Sequence, residues 1–145
     1  MREASERRVG ALKVLALALA LINDGIHGYE LCRRISELSG GKWVPSIGTI
    51  YRILNELAKE GYLSRSEEGR GERQVIIYRL TEEGMNFLVS KLPCILRKNY
   101  LGMKIVLEAY VKLVKRGLIK LGGDDIAMLN ELRGLINELK NLFKD

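Results

Sequence analysis

Apolar and polar positions alternate with two different periods along this chain, and the change of period marks out its elements. From Arg8 to Leu21 the sequence is rich in Ala and Leu and apolar on nearly every side, which predicts a helix buried on more than one face. Asn23-Asp24-Gly25 favours turns and helix ends and stops it. A second helix is predicted from His27 to Leu38. Ile26, Tyr29, Leu31, Ile35 and Leu38 supply its apolar positions, Arg33, Arg34 and Glu37 its polar ones, and Ser39-Gly40-Gly41 its stop. Lys42–Pro45 is then an extended connector, because Pro45 biases Val44 away from helix. Ser46 is a good N-cap for a third helix reaching about Glu60, with Gly61 as its C-terminal stop. Within it Ile50, Ile53, Leu54 and Leu57 recur at helical spacing and form one buried face.

After Gly61 the period shortens. Tyr62–Glu67 and Arg73–Leu80 are predicted as two strands joined by a polar turn at Glu68–Glu72, with Ile76, Tyr78 and Leu80 on one face of the second. Thr81 followed by Glu82-Glu83 predicts a helix start, a hydroxyl cap with two acids at the positive end of the macrodipole. That helix is expected to reach about Lys91, with a break or kink at Pro93. Apolar residues are dense from Leu96 to Leu121, and Gly122-Gly123 is a turn. Asp124 is expected to cap a last helix carrying Ile126, Leu129, Leu132, Leu135, Ile136 and Leu139 at spacings of 3 and 4, as in a bundle or coiled-coil seam. The pattern is mainly α with a small two-stranded β-wing (α+β). Residues 1–92 are expected to form a winged helix-turn-helix and residues 93–145 a helical dimerisation region.

Composition narrows the function classes. With 145 residues, 47% hydrophobic and 29% charged, the chain has the make-up of a folded protein. The formal charge of +6 fits a polyanionic partner. That charge is unevenly placed. Residues 1–90 carry 13 Lys/Arg against 12 Asp/Glu, residues 91–120 carry 8 against Glu108 alone, and residues 121–145 carry 3 against 5. The basic set at 91–120 has its simplest account as a solvated helix face. Cys32 and Cys94 are too few for a disulfide framework or a zinc site; Cys32 is expected as a buried small hydrophobe and Cys94 as partly exposed. Val14–Ile22 is too short an apolar run to span a bilayer, which makes a cytoplasmic location the expectation, with no membrane partner. One histidine, no carboxylates clustered with a base and no phosphate-cradling glycine loop argue against an enzyme, and no cofactor, catalytic or metal site is expected. His27 is expected as a structural residue at a helix start, and Trp43 as a core filler beneath the connector.

Two helices, a tight connector and a wing suit the DNA major groove, where each base pair displays its own donors and acceptors. The third helix would be the reader. Ser46 and Thr49 offer hydroxyls beside free backbone N–H groups at its start, and Gly48 permits close approach of a phosphate. Tyr51 can donate to a phosphate, Arg52 is the best candidate for a guanine edge, and Asn55 lies one turn further on. Tyr29 suits either packing or a phosphate contact. Arg70 and Arg73 in the wing turn could reach a minor groove or backbone, although Glu67, Glu68 and Glu72 share that turn.

These residues resemble a known family. Asp24-Gly25-Ile26-His27-Gly28-Tyr29-Glu30-Leu31, Gly48-Thr49-Ile50-Tyr51 and Tyr78-Arg79-Leu80-Thr81-Glu82-Glu83-Gly84 occur in the order and spacing of PadR-like transcriptional regulators, over Leu19–Leu92. The resemblance implies a homodimeric repressor of double-stranded DNA, with the third helix in the groove and the C-terminal helices, helped by the first, joining the subunits. It places Tyr29, Ser46, Thr49 and Tyr51 at positions that touch DNA or shape its reader. It also implies, for some relatives, a small aromatic effector bound between subunits. Ile47 and Arg52 stand where many family members have proline. Ile47 still helps fill the core, whereas Arg52 adds a charged donor and changes the expected base preference. Three other readings stay open: a ligand-responsive sensor with an apolar pocket between dimer helices (Trp43, Tyr100, Tyr110, Phe143), a DNA binder of low specificity using the 91–120 segment, and a protein-interaction module.

Overall fold

The structure, a computed structural model, describes residues 2–144, and of residues 4–9 and 70 the backbone alone. Its elements run α1 (Arg2–Ile22), α2 (Gly28–Leu38), α3 (Ile47–Lys59), β1 (Leu63–Arg70), β2 (Arg73–Leu80), α4 (Glu82–Lys115) and α5 (Gly123–Leu142). This is the expected mainly α chain with a two-stranded wing. It divides into two compact units, one ending at Ile95 and the other beginning at Leu96.

The first unit holds the core. The predicted face of α3 is fully inside, with Ile50, Ile53 and Leu54 at 0% exposure and Leu57 at 1%. Leu12, Ala16, Leu17 and Ala20 of α1 and Leu31 and Ile35 of α2 close over it, with Leu63, Tyr78 and Leu88 from the wing and α4. Burying four aliphatic side chains of α3 contributes about 1.5–3 kcal/mol each, and it is this row that orients the helix. The N-termini are capped as their sequences require. His27 Nδ1 accepts from the Glu30 N–H at 3.2 Å and Ser46 Oγ from the Thr49 N–H at 3.2 Å. Thr81 Oγ1 accepts from the Gly84 N–H at 3.1 Å and donates to the Gly61 carbonyl, joining the α4 start to the α3 end. A Cβ on Gly84 would stand 2.7 Å from Leu80 Cδ1 and run into the Tyr62 carbonyl, so the first turn of α4 can lie against the wing only with glycine there.

Several expectations are corrected. The hairpin is longer than predicted: β1 continues to Arg70 in register with Arg73, and the turn shrinks from Glu68–Glu72 to Gly71-Glu72. Gly71 has φ 78°, the left-handed geometry that a two-residue loop needs, and this tight closure lets Glu68 and Gly69 pair despite weak strand propensity. Ile26 leaves α2 and pairs with Tyr78 instead, N–H to carbonyl both ways at 2.9 Å, so the α1–α2 turn forms a third edge on the wing. Tyr29 and Leu38 are exposed, at 71% and 69%. Trp43 is also exposed, at 38%, rather than buried. Its connector is held by the backbone, since Ser39 Oγ accepts from the Trp43 N–H and donates to its carbonyl, both at 3.0 Å. Cys32 is half-buried and its thiol donates to the Pro45 carbonyl at 3.4 Å; Cys94 is exposed.

No break occurs at Pro93, and α4 runs through it and on into the apolar stretch that begins at Leu96, as far as Lys115. The Val89 carbonyl loses its N–H donor there, but Val89 is 68% exposed and water can take the donor's place. In the second unit, α5 begins after Gly122, not after Asp124. The carboxylate that caps is Asp125, at the third helical position, whose Oδ2 accepts from the Gly122 N–H at 3.0 Å. No residue of α5 is buried. The basic residues of 91–120 are all exposed, with Lys104 paired to Glu108 at 3.4 Å.

One ion pair staples α1 to α3. Lys13 Nζ lies 2.8 Å from Glu60 and 3.4 Å from Glu56, and the hydrogen bond to Glu60 holds the ammonium above its ordinary value of 10.5. A raised folded-state value means stabilisation that is complete below 10.5 and is lost as pH rises through the folded value. Lys13→Met should therefore lower stability by less than about 1 kcal/mol at neutral pH, because the pair is partly exposed. The gap to the parent protein in urea melts should close above pH 10.5.

Candidate nucleic-acid interface

Opposite the buried row, α3 turns a second set of residues outward. Gly48, Arg52, Asn55 and Lys59 follow at spacings of 4, 3 and 4, one per turn, with Tyr51 beside them. All but Tyr51 are exposed, and Tyr51 is half-buried. The fold brings together, on one side of one helix, the predicted residues Gly48, Tyr51, Arg52 and Asn55. Ser46 and Thr49 sit at its N-terminus, where Ser46 Oγ and Thr49 Oγ1 lie 2.8 Å apart. These two hydroxyls hold each other, so they offer lone pairs and one remaining proton rather than two free donors.

Two glycines of the region do opposite things. At Gly28 a Cβ would meet the Tyr51 ring at 2.9–3.2 Å, so this glycine allows the ring to lie flat against the start of α2. Gly28 thereby fixes where the Tyr51 hydroxyl emerges. At Gly48 nothing stands within 4 Å of an added Cβ, so the fold makes no use of the missing side chain. Tyr29, exposed one residue after Gly28, stands with His27, Glu30 and Arg33 around a shallow depression at the start of α2.

Charge is distributed so that cations remain available. Arg52 keeps only a loose contact with Glu56, Nη1 to Oε1 3.8 Å, and Glu56 is shared with Lys13. Of the three acids expected to weaken the wing, Glu68 is engaged by Arg79, which also donates to Ser66 Oγ at 3.1 Å; the Arg79 hydrogen bond holds the Glu68 carboxyl below its ordinary range. Arg73 is exposed at the hairpin end, and the Arg70 side chain lies outside the described residues.

Two residues escaped the sequence reading. Lys59 follows Asn55 by four and could have been found by carrying the outward spacing one turn further. Arg65 could not, because its place depends on register: it pairs directly with Tyr78 across the hairpin, on the face that meets α3. Among the described residues, neither Lys59 nor Arg65 has an acidic partner within 4.0 Å. Tyr78 itself is wholly buried, and its hydroxyl donates to Asn55 Oδ1 at 2.8 Å. Burial pushes the Tyr78 phenol above its ordinary value; the Arg65 guanidinium opposes this and the Tyr51 phenol adds to it.

The residues expected to join subunits lie in the second unit. Ile126, Leu132, Leu135, Ile136 and Leu139 are 44–60% exposed and Leu129 is half-buried. Of the aromatics expected to line an effector pocket, Tyr100 and Phe143 are exposed and Tyr110 is half-buried. Among the described residues no His, Cys, Asp and Glu side chains cluster as a metal site, and no helix is long and apolar enough to cross a membrane.

Comparison with known proteins meets this geometry. The model of the transcriptional regulator PadR-like family matches residues 17–90. The chain is 37% identical over 79 residues to the transcriptional regulator YqjI of Escherichia coli (strain K12), a match covering 54% of this chain and 36% of that protein. It is 35% identical over 79 residues to the transcriptional activator GvpE of Haloferax mediterranei, covering 54% and 38%. The matched region is thus little more than a third of these curated relatives. A transcriptional regulator from Clostridium thermocellum superposes with a TM-score of 0.53 at 24% identity, over 72% of this chain and 94% of that one, a likeness of fold.

The two glycines give opposite expectations. Gly28→Ala should destabilise by about 1–3 kcal/mol through the Tyr51 ring. Gly48→Ala should stabilise by up to about 1 kcal/mol, since alanine is the better helix former. Thermal unfolding of both variants reads the difference, and shifts of the same sign would refute this division of roles.

Proposed function

This chain belongs to the PadR-like family of transcriptional regulators, and from that premise we propose that it binds double-stranded DNA as a homodimer, lays α3 in the major groove and represses transcription by occupying its operator. The observation that carries the reading is the outward row Gly48–Arg52–Asn55–Lys59. It presents donors and positive charge along a helix whose other face is locked in the core. A helix of this kind fits the groove, and its exposed arginine is the side chain best suited to the O6 and N7 acceptors of guanine. Gly48 supports a close approach of the backbone to a phosphate at the positive end of α3. Tyr29, Ser46, Thr49, Tyr51 and Arg73 frame the row as backbone contacts, which set position rather than sequence.

Dimerisation is supported by the second unit. Leu132, Ile136 and Leu139 of α5 are exposed in the single chain, and with half-buried Leu129 before them and Phe143 at the helix end they follow at spacings of 3 and 4. Exposed seams of this kind are covered by a partner helix in stable proteins. A second copy would supply one and would also double the base contacts, since one winged motif makes too few for strong discrimination. Repression needs nothing more than tight occupancy of a promoter.

Titration against the chain's own upstream DNA and a random duplex at two salt concentrations tests the reading, and equal affinity for both would defeat it. Arg52→Ala should cost about 1–3 kcal/mol on the specific site and relax one base position. A uniform loss on all sequences would make Arg52 a phosphate contact instead. Leu132→Glu with Leu139→Glu should convert the protein to monomers in light scattering and weaken binding to a two-half-site operator. A dimer that survives both charges would place the subunit contact elsewhere.

A further inference from the structure

Asn55 is the one member of the outward row whose side chain is held by the core. Its Oδ1 accepts from the Tyr78 hydroxyl at 2.8 Å, and Tyr78 is 0% exposed. Tyr78 has little freedom. Its backbone N–H and carbonyl are both bonded to Ile26, and its strand is in register with Leu63, Arg65 and the rest of β1. An amide is planar, with its oxygen and its NH₂ on opposite branches. Once the oxygen is turned toward a buried phenol, the NH₂ must point away from the core, along the exposed side of α3.

That orientation has a consequence for base recognition, resting on the proposal that α3 reads DNA. A free asparagine pairs with adenine by two bonds at once, donating to N7 and accepting from the N6 amino group. An asparagine whose oxygen is held inward cannot present both atoms squarely to one base. It offers donors only. Guanine is the base whose major-groove edge places two acceptors side by side with no donor, N7 and O6; thymine has the single acceptor O4 beside a bulky methyl, adenine places a competing amino donor beside N7, and cytosine presents a donor alone. We infer that Tyr78 determines what Asn55 reads: by holding the carbonyl oxygen it turns Asn55 from an adenine reader into a donor that selects guanine. Tyr78 is a positioning residue that never touches DNA, and Asn55 makes the contact.

Selection of bound sequences from a randomised duplex pool tests this with the full-length chain and three variants. The parent protein should show one position per half-site where guanine is preferred and where Asn55→Ala abolishes the preference. Tyr78→Phe keeps the buried ring and removes only the hydroxyl. It should lower the guanine preference at that position about three- to tenfold, the worth of one hydrogen bond, with adenine gaining and the other positions unmoved. Asn55→Asp does not depend on how well the Tyr78 variant folds. With one carboxylate oxygen on Tyr78, the other faces outward as an acceptor, and the preference should pass to cytosine, whose edge donates. The assignment is overturned if the Asn55-dependent position reads adenine or thymine rather than guanine in the parent, if Tyr78→Phe leaves it unchanged, or if Asn55→Ala changes nothing. A parent protein that enriches no sequence overturns the DNA-reading assignment itself, a result distinct from the others.

Discussion

The burial of one tyrosine joins the parts of this molecule that would otherwise be independent. Tyr78 lies at the crossing of the wing, the α1–α2 turn and α3. Its ring is inside the core, its backbone pairs with Ile26, and its hydroxyl reaches Asn55. A phenol hydroxyl without a partner would be costly there, by roughly 1–3 kcal/mol. Satisfying it with a side chain of the outward row makes the arrangement of the candidate interface a condition of core packing. The wing is therefore the third wall of the core around α3, and its inner half is the buried half. Leu63 and Tyr78 are buried there, while Gly69, Gly71, Glu72 and Arg73 at the tip are exposed.

Electrostatics follow the same plan. Residues 1–90 carry near-neutral charge by count, but a count of side chains takes no account of which are engaged. Several of the acids are occupied: Glu56 and Glu60 by Lys13, Glu68 by Arg79, Glu37 by Arg34. Arg52, Lys59, Arg65 and Arg73 keep their charge for the surface. Exposed pairs of this kind add little stability. Their larger effect is to decide which sign of charge is left over on the side where α3 faces outward.

Much of the first unit was legible in the sequence. Ile50, Ile53, Leu54 and Leu57 announced the buried face of α3, Ser46 and Thr81 announced the caps, and the Ile76–Tyr78–Leu80 alternation announced the inner face of β2. Each of these signals is written within one or two turns of chain. Where the structure departs from the local pattern, the cause lies elsewhere in the fold. Trp43 looked like core because it is large and apolar, but Ser39 could fix the connector through its hydroxyl and leave the indole at the surface. Pro93 looked like a stop because it removes a hydrogen bond, but it sits at an exposed position among residues that favour helix. The wing turn looked long because Glu68 and Gly69 are poor strand formers, yet a glycine two residues later permitted a tight loop that paired them.

What the sequence alone determined, then, is the set of elements and the side of each that must be buried, because hydrophobic period and cap chemistry act between residues a few positions apart. What only the tertiary structure decided is which residues meet across elements: Gly28 under Tyr51, Ile26 beside Tyr78, Arg65 opposite Tyr78, and Tyr78 on Asn55. These depend on strand register and on how closely two helices approach, quantities that no local pattern carries. A one-residue slip of the hairpin would send Tyr78 to the other face and leave Asn55 free. The outward row could be read from spacing; the direction in which its asparagine points could not.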